Sequence, residues 1–315
     1  MNEPLVVAVD GPSGSGKSSV SRAVARHLGL AYLDTGAMYR AATWWCLQEG
    51  VRLEDQGAVA DQVRRLPLVM GMDPASPEVH VGGVDVAKPI RETWVSEAVS
   101  AVATNLAVRT ELNRRQRDLI EAERVPGGFS AGRGVVAEGR DITTVVAPDA
   151  EVRVLLTASA SARLARRALE VHGAADEAAV AATSDQVLRR DARDSTVVEF
   201  QRPADGVVLV DSSDLDLPQT VEAVLDVVAR LTGRRAGVAG LRVRIGLVIL
   251  AGSGTRRRRR AAHGHSIVSV QRRTHPSRVR CSPATTAALS PAQPLSLRRA
   301  VGVGSRGECR SEPAA

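Results

Sequence analysis

Leu5 to Val9 is an unbroken apolar run that stops at Asp10. Such a run is the pattern of a strand buried on both faces of a sheet. A glycine-rich segment follows. Val20, Ala23, Val24 and Leu28 then recur at helical spacing until Gly29 closes the pattern. The alternation continues down the chain, with a short strand at Ala31–Leu33 and a helix from about Ala37 to Leu47, stopped near Gly50. Apolar and polar residues alternate on either side of Gly82-Gly83, from Glu78 to Val81 and from Val84 to Ala87. That is a hairpin signal, so residues 66–90 read as a small β insert between helices. Two helical stretches follow, at about Thr93–Thr104 and Val108–Ala122. Gly134–Ala137, Val152–Leu156 and Val207–Val210 read as further buried strands, and Ser159–Asp194 between the last two is helical in pattern and rich in arginine. The last helix carries Val221, Val224, Leu225, Val228 and Leu231 on one face, takes Pro218 in its first turn and ends at Gly233. Strands alternating with helices predict an α/β fold of three layers, a parallel sheet covered on both faces.

After Gly233 this periodicity collapses. Leu241–Leu250 could form one more strand, but Arg256–Arg260 is five arginines in a row and the remainder is rich in Ser, Pro, Ala and Arg. Charge separates the same two regions. Residues 233–315 hold 17 arginines, no lysine and two glutamates, a net +15. Residues 1–232 hold 25 basic and 33 acidic residues, a net −8. The overall +7 is therefore the sum of an ordinary acidic protein and an arginine-rich appendage. With no second core visible, residues 234–315 read as a disordered low-complexity tail beside a folded domain at 1–233. Such a tail can bind nucleic acid through phosphate charge. The plainer reading is an extension with no function of its own, in keeping with a chain in which 40 of 42 basic residues are arginine.

No apolar stretch approaches the roughly 20 residues of a membrane span, and no basic segment precedes the first apolar run as in a secretory signal. The three cysteines, Cys46, Cys281 and Cys309, are scattered and give neither a disulfide framework nor metal spacing. These features point to a cytoplasmic protein.

The chemistry begins where the first strand ends. Gly11-Pro12-Ser13-Gly14-Ser15-Gly16-Lys17-Ser18, with Ser19 after it, satisfies G-x-x-x-x-G-K-[ST] between an apolar strand and an amphipathic helix. Gly14 and Gly16 let the backbone close on phosphate oxygens, and its N–H groups and the helix N-terminus supply positive charge. Lys17 suits β- and γ-phosphates, and Ser18 suits Mg²⁺. A bare glycine turn would not need the Lys-Ser pair.

Three further segments narrow the reading: Asp34-Thr35-Gly36-Ala37-Met38-Tyr39-Arg40, Gly139-Arg140-Asp141, and Arg190-Asp191-Ala192-Arg193-Asp194. With the P-loop, the β insert and the Val210-Asp211-Ser212 strand end, they make the chain resemble the cytidylate kinase family over about residues 3–232. Its members are bacterial P-loop NTPase-fold enzymes that phosphorylate CMP and dCMP. The resemblance implies a monomer that takes ATP and Mg²⁺. It implies an acceptor phosphate clamped by Arg40 and Arg140 with the Thr35 hydroxyl. It implies cytosine read by Ser100, Arg109 and Asp141, and ribose held by Arg190 and Asp194. A carboxylate at Asp141 would accept the cytosine amino hydrogens and repel the carbonyl that uracil carries there. The arginine-rich stretch 159–194 corresponds to a mobile lid. Of Arg163, Arg166 and Arg167 within it, Arg166 is taken as the one that reaches ATP. Family members often carry an arginine three residues after Asp194. Here that residue is Val197, with Arg193 and Arg202 as candidates to compensate. The P-loop and Gly139-Arg140-Asp141 set aside a nucleic-acid binder with an inactive core. A GTPase-like switch is set aside because Lys17 and Lys88, the sole lysines, cannot supply a guanine-reading motif.

Overall fold

A computed structural model describes residues 3–173 and 176–233. The arginine-rich tail and the strand expected at Leu241–Leu250 lie outside them. Five parallel strands form the central sheet: β1 (Leu5–Asp10), β2 (Ala31–Asp34), β6 (Gly134–Gly139), β7 (Val152–Thr157) and β8 (Val208–Asp211). Their order is β2-β6-β1-β7-β8. Val7 of β1 sits opposite Val136 of β6 on one side and Val152 of β7 on the other.

All six residues of β1 are buried, and side-chain alternation explains why the run has no polar break. Leu5, Val7 and Val9 face one core with Val20 and Val24 of α1 (Lys17–Leu28) and Val224 and Val228 of α8 (Leu217–Thr232). Val6 and Ala8 face the opposite core with Leu33, Met38, Ile120 and Ile142. A third core unites α2 (Thr35–Gln48), α3 (Gln56–Arg64), α4 (Thr93–Ala103) and α5 (Leu106–Ala122) with an antiparallel sheet of β3 (Leu68–Met70), β4 (Val79–Val81) and β5 (Val84–Asp85).

Local chemistry sets the ends of these elements. Asp34 accepts the Ala37 N–H and starts α2 two residues ahead of the sequence expectation. Asn105 caps α5, and Asp216 with Gln219 forms a capping box at α8 with Pro218 in its first turn. The stretch read as one helical segment is two helices, α6 (Ala160–His172) and α7 (Glu177–Asp194), because Gly173 ends the first in a left-handed turn. Among the described residues no helix is long and apolar enough to cross a membrane.

Candidate active site

The strands of a parallel sheet point their carboxyl ends one way, and ligand sites form outside those ends where the strand order reverses. β1, between β6 and β7, is that point here. The loop after β1 and the segments after β2 and β6 meet at a cleft of about 900 Å³. Lys17, Ser18, Arg40, Glu138, Arg140 and Arg167 are among its lining residues.

The loop after β1 turns because Gly14 has a φ of 75° and no side chain. A Cβ there would come within 2.5 Å of the Arg163 carbonyl oxygen, so Gly14 is also what lets α6 press on the loop. Lys17 Nζ donates to Pro12 O at 2.9 Å and so arches back over the loop. Ser18 Oγ donates to Glu138 Oε1 at 2.5 Å, and Tyr32 donates its hydroxyl to the same oxygen at 3.1 Å. Burial pushes the Glu138 carboxyl above the usual range and the Asp34 carboxylate adds to this, while Lys17 and the two hydroxyls oppose it. The sequence reading passed over Glu138, which ends in the cleft because it is the penultimate residue of β6.

Thr35 and Arg40 both lie on α2. Thr35 donates its hydroxyl to Glu138 O at 2.7 Å and ties α2 to β6. Gly139 permits this, since a Cβ there would lie 2.5 Å from Thr35 Oγ1. Arg40 pairs with Asp34 at 3.5 Å, and Arg91 from the 3-10 turn Pro89–Arg91 reaches the same Asp34 oxygen at 3.5 Å. Arg40 Nε is buried without a hydrogen-bond partner among the described residues.

Arg140 meets two carboxylates of α7. Its Nη1 lies 2.8 Å from Asp191 Oδ1 and its Nε 3.0 Å from Asp194 Oδ2. The Phe200 ring packs against the guanidinium, 4.4 Å from its central carbon. Asp191 also accepts the Ser13 N–H at 3.1 Å and pairs with Arg163 at 2.5 Å. Burial works to raise the Asp191 carboxyl, but Arg140, the Ser13 amide and Arg163 outweigh it and hold it below the usual range.

Asp141, which with Ser100, Arg109 and Asp194 is not among the residues lining that cleft, stands before a π-helical turn, Ile142–Val146, yet its side chain makes no capping bond. Its Oδ2 accepts from Arg109 and, at 3.3 Å, from Asn113. No described side chain donates to Oδ1. Burial pushes Asp141 up, and Arg109 and Asn113 pull it back. Ser100 donates to Asp194 Oδ1 at 3.4 Å. Ser100, Asp194 and Arg140 therefore form one chain of contacts, and Arg109 and Asp141 another.

The lid arginines sort by direction. Arg166 donates to Ser212 Oγ at 2.9 Å and to the carbonyls of Ser212 and Leu215 at 2.5 and 3.1 Å, which ties α6 to the end of β8. The cleft instead takes Arg167, one residue on. The side chain of Arg190 lies outside the described residues. Val197 is half-buried, and neither Arg193 nor Arg202 is among the residues lining the cleft.

A model of the family described as cytidylate kinase matches residues 7–230. A cytidylate kinase of Streptomyces avermitilis is 46% identical over 225 residues, 71% of this chain and 92% of the relative. One of Rhodococcus opacus is 49% identical over 232 residues, 73% of this chain and 96% of the relative. One of Cutibacterium acnes is 47% identical over 227 residues, 71% of this chain and 96% of the relative.

Proposed function

The chain belongs to the cytidylate kinase family, and from this we propose that it transfers the γ-phosphate of ATP to CMP or dCMP, giving ADP and CDP or dCDP. The observation that carries the reading is the convergence of Lys17, Arg40 and Arg140 on one cleft beside Ser18 and Glu138. The acceptor phosphate of CMP is already an anionic nucleophile at neutral pH, so no general base is needed. The obstacle is repulsion between its charge and that of the γ-phosphate. Lys17, Arg40, Arg140 and Arg167 converge on the cleft where those charges would meet. Catalysis is then positioning and charge neutralisation.

The loop residues Gly11–Ser19 hold the ATP phosphates. Asp141 Oδ1 accepts the cytosine amino group beside Arg109 and Ser100. Asp194 and Arg190 take the ribose. The domain is residues 1–233, with the part around 66–90 on the acceptor side and 159–194 as the lid that keeps water from the γ-phosphate.

The hard oxygen donors Ser18 Oγ and Glu138 fit Mg²⁺, one at the ion and the other orienting that ligand. When bound, the ion would neutralise phosphate charge. We place the protein in the cytoplasm as a monomer, with small nucleotides as its partners.

The test is ADP release by the full chain with CMP, dCMP, UMP, AMP and shikimate in parallel. Turnover concentrated on CMP and dCMP supports the reading. Equal or greater turnover with another acceptor overturns it.

A further inference from the structure

We propose that Asn113, locked by Tyr39, is a positioning residue that sets the preference for cytosine over uracil. The inference rests on the reading of Asp141 as the cytosine acceptor. Asn113 was no part of the motif set and lies one helical turn after Arg109 on α5, so both point at the same carboxylate. Both donate to Asp141 Oδ2, and Oδ1 is left to the base.

An asparagine amide could face Asp141 with its nitrogen or with its oxygen. Tyr39 decides which. Its hydroxyl donates to Asn113 Oδ1 at 3.2 Å, so the amide nitrogen is the end that faces the carboxylate. The Tyr39 ring also lies 5.9 Å from the centre of the Arg109 guanidinium. One aromatic side chain of α2 thus fixes both donors of the carboxylate. Asn113, Tyr39 and Asp141 are all buried, at 6%, 8% and 3% exposure, so losing a donor here is costly.

Discrimination against uracil requires that Asp141 stay an ionised acceptor. Charged or titratable groups that act on it are Arg109 from α5, Asp10 from β1 and Tyr39 from α2, with Arg140 beside it in the chain. Arg109 is the cation paired with it, since Arg140 turns to Asp191 and Asp194. Removing the Asn113 donor leaves a buried carboxylate with one donor fewer, freer to turn and easier to protonate. A protonated Asp141 would donate to the uracil O4 that it otherwise repels.

The experiment compares kcat/KM for CMP and UMP in the full-length wild type, Asn113→Leu and Tyr39→Phe, with the KM for ATP measured alongside. The ratio of the two values does not depend on the fraction of folded enzyme, so partial misfolding cannot imitate the effect. The expected result for Asn113→Leu is a CMP-to-UMP ratio lower by roughly tenfold or more, carried mainly by loss of CMP turnover, with the ATP KM within twofold. Tyr39→Phe should shift the ratio the same way by a smaller factor. Parallel loss for CMP and UMP, or an unchanged ratio in both variants, overturns the inference. A wild type that does not prefer CMP overturns the functional reading itself and the inference with it.

Discussion

The guanidinium of Arg140 and the carboxylate of Asp191 lie 2.8 Å apart, and Asp191 also accepts the Ser13 amide of the phosphate loop. One carboxylate of α7 therefore ties the segment after β6 to the loop after β1. Asp191 and Asp194 are both nearly inaccessible, so Arg140→Met would take a shared cation from two buried carboxylates, while Asp191 keeps Arg163 and the Ser13 amide. The expected cost is about 3 kcal/mol of stability, with CMP turnover lost. Thermal unfolding and the CMP assay on the variant check this. A variant that melts with the wild type would contradict it.

Lys17 Nζ donates to Pro12 O at 2.9 Å and so lies along the phosphate loop. Lys17→Ala should lower kcat by at least 10²-fold with an unchanged melting temperature, because its charge acts on the transferring phosphoryl group. Steady-state kinetics at saturating CMP measures it.

Glu138 holds Ser18 by its hydroxyl. Glu138→Gln keeps the shape but removes the charge that orients this ligand. The Mg²⁺ concentration for half-maximal rate should rise on the order of tenfold. Titration of Mg²⁺ at fixed ATP reads the effect directly.

Asp10 carries a pH dependence of stability. Burial raises its carboxyl to about 6, against hydrogen bonds from Thr143 and Ile142 that lower it. In the unfolded chain it titrates near 4. The folded state therefore binds the proton more tightly, and Asp10's contribution falls as pH rises from about 4 through about 6, then levels off. Asp10→Asn lacks this term. Its unfolding free energy relative to wild type should improve by on the order of 2 kcal/mol between pH 4 and pH 7, as read by urea unfolding at both values.

Much of this site was legible because its signals are local. The loop from Gly11 to Ser18 carries its chemistry in consecutive residues, and the continuous apolar run of β1 identified a strand buried on both faces. The helix α3 was not legible, since nine residues with only Val59, Ala60 and Val63 as a buried apolar stripe give too short a window. Arg166 and Arg167 differ by about 100° around α6, and periodicity could not say which faced the cleft. Glu138, Asn113 and Phe200 were silent because their partners are remote in sequence. Ser18 meets Glu138 across 120 positions and Tyr39 meets Asn113 across 74. Phe200, which follows Val197 by three residues, lies buried under Arg140.

The most direct test of phosphoryl transfer between nucleotides is to follow the label of γ-phosphate-labelled ATP in the full chain with CMP. Label recovered in CDP, with little free phosphate, is the expected result. Label released as inorganic phosphate at the same rate with and without CMP would contradict it.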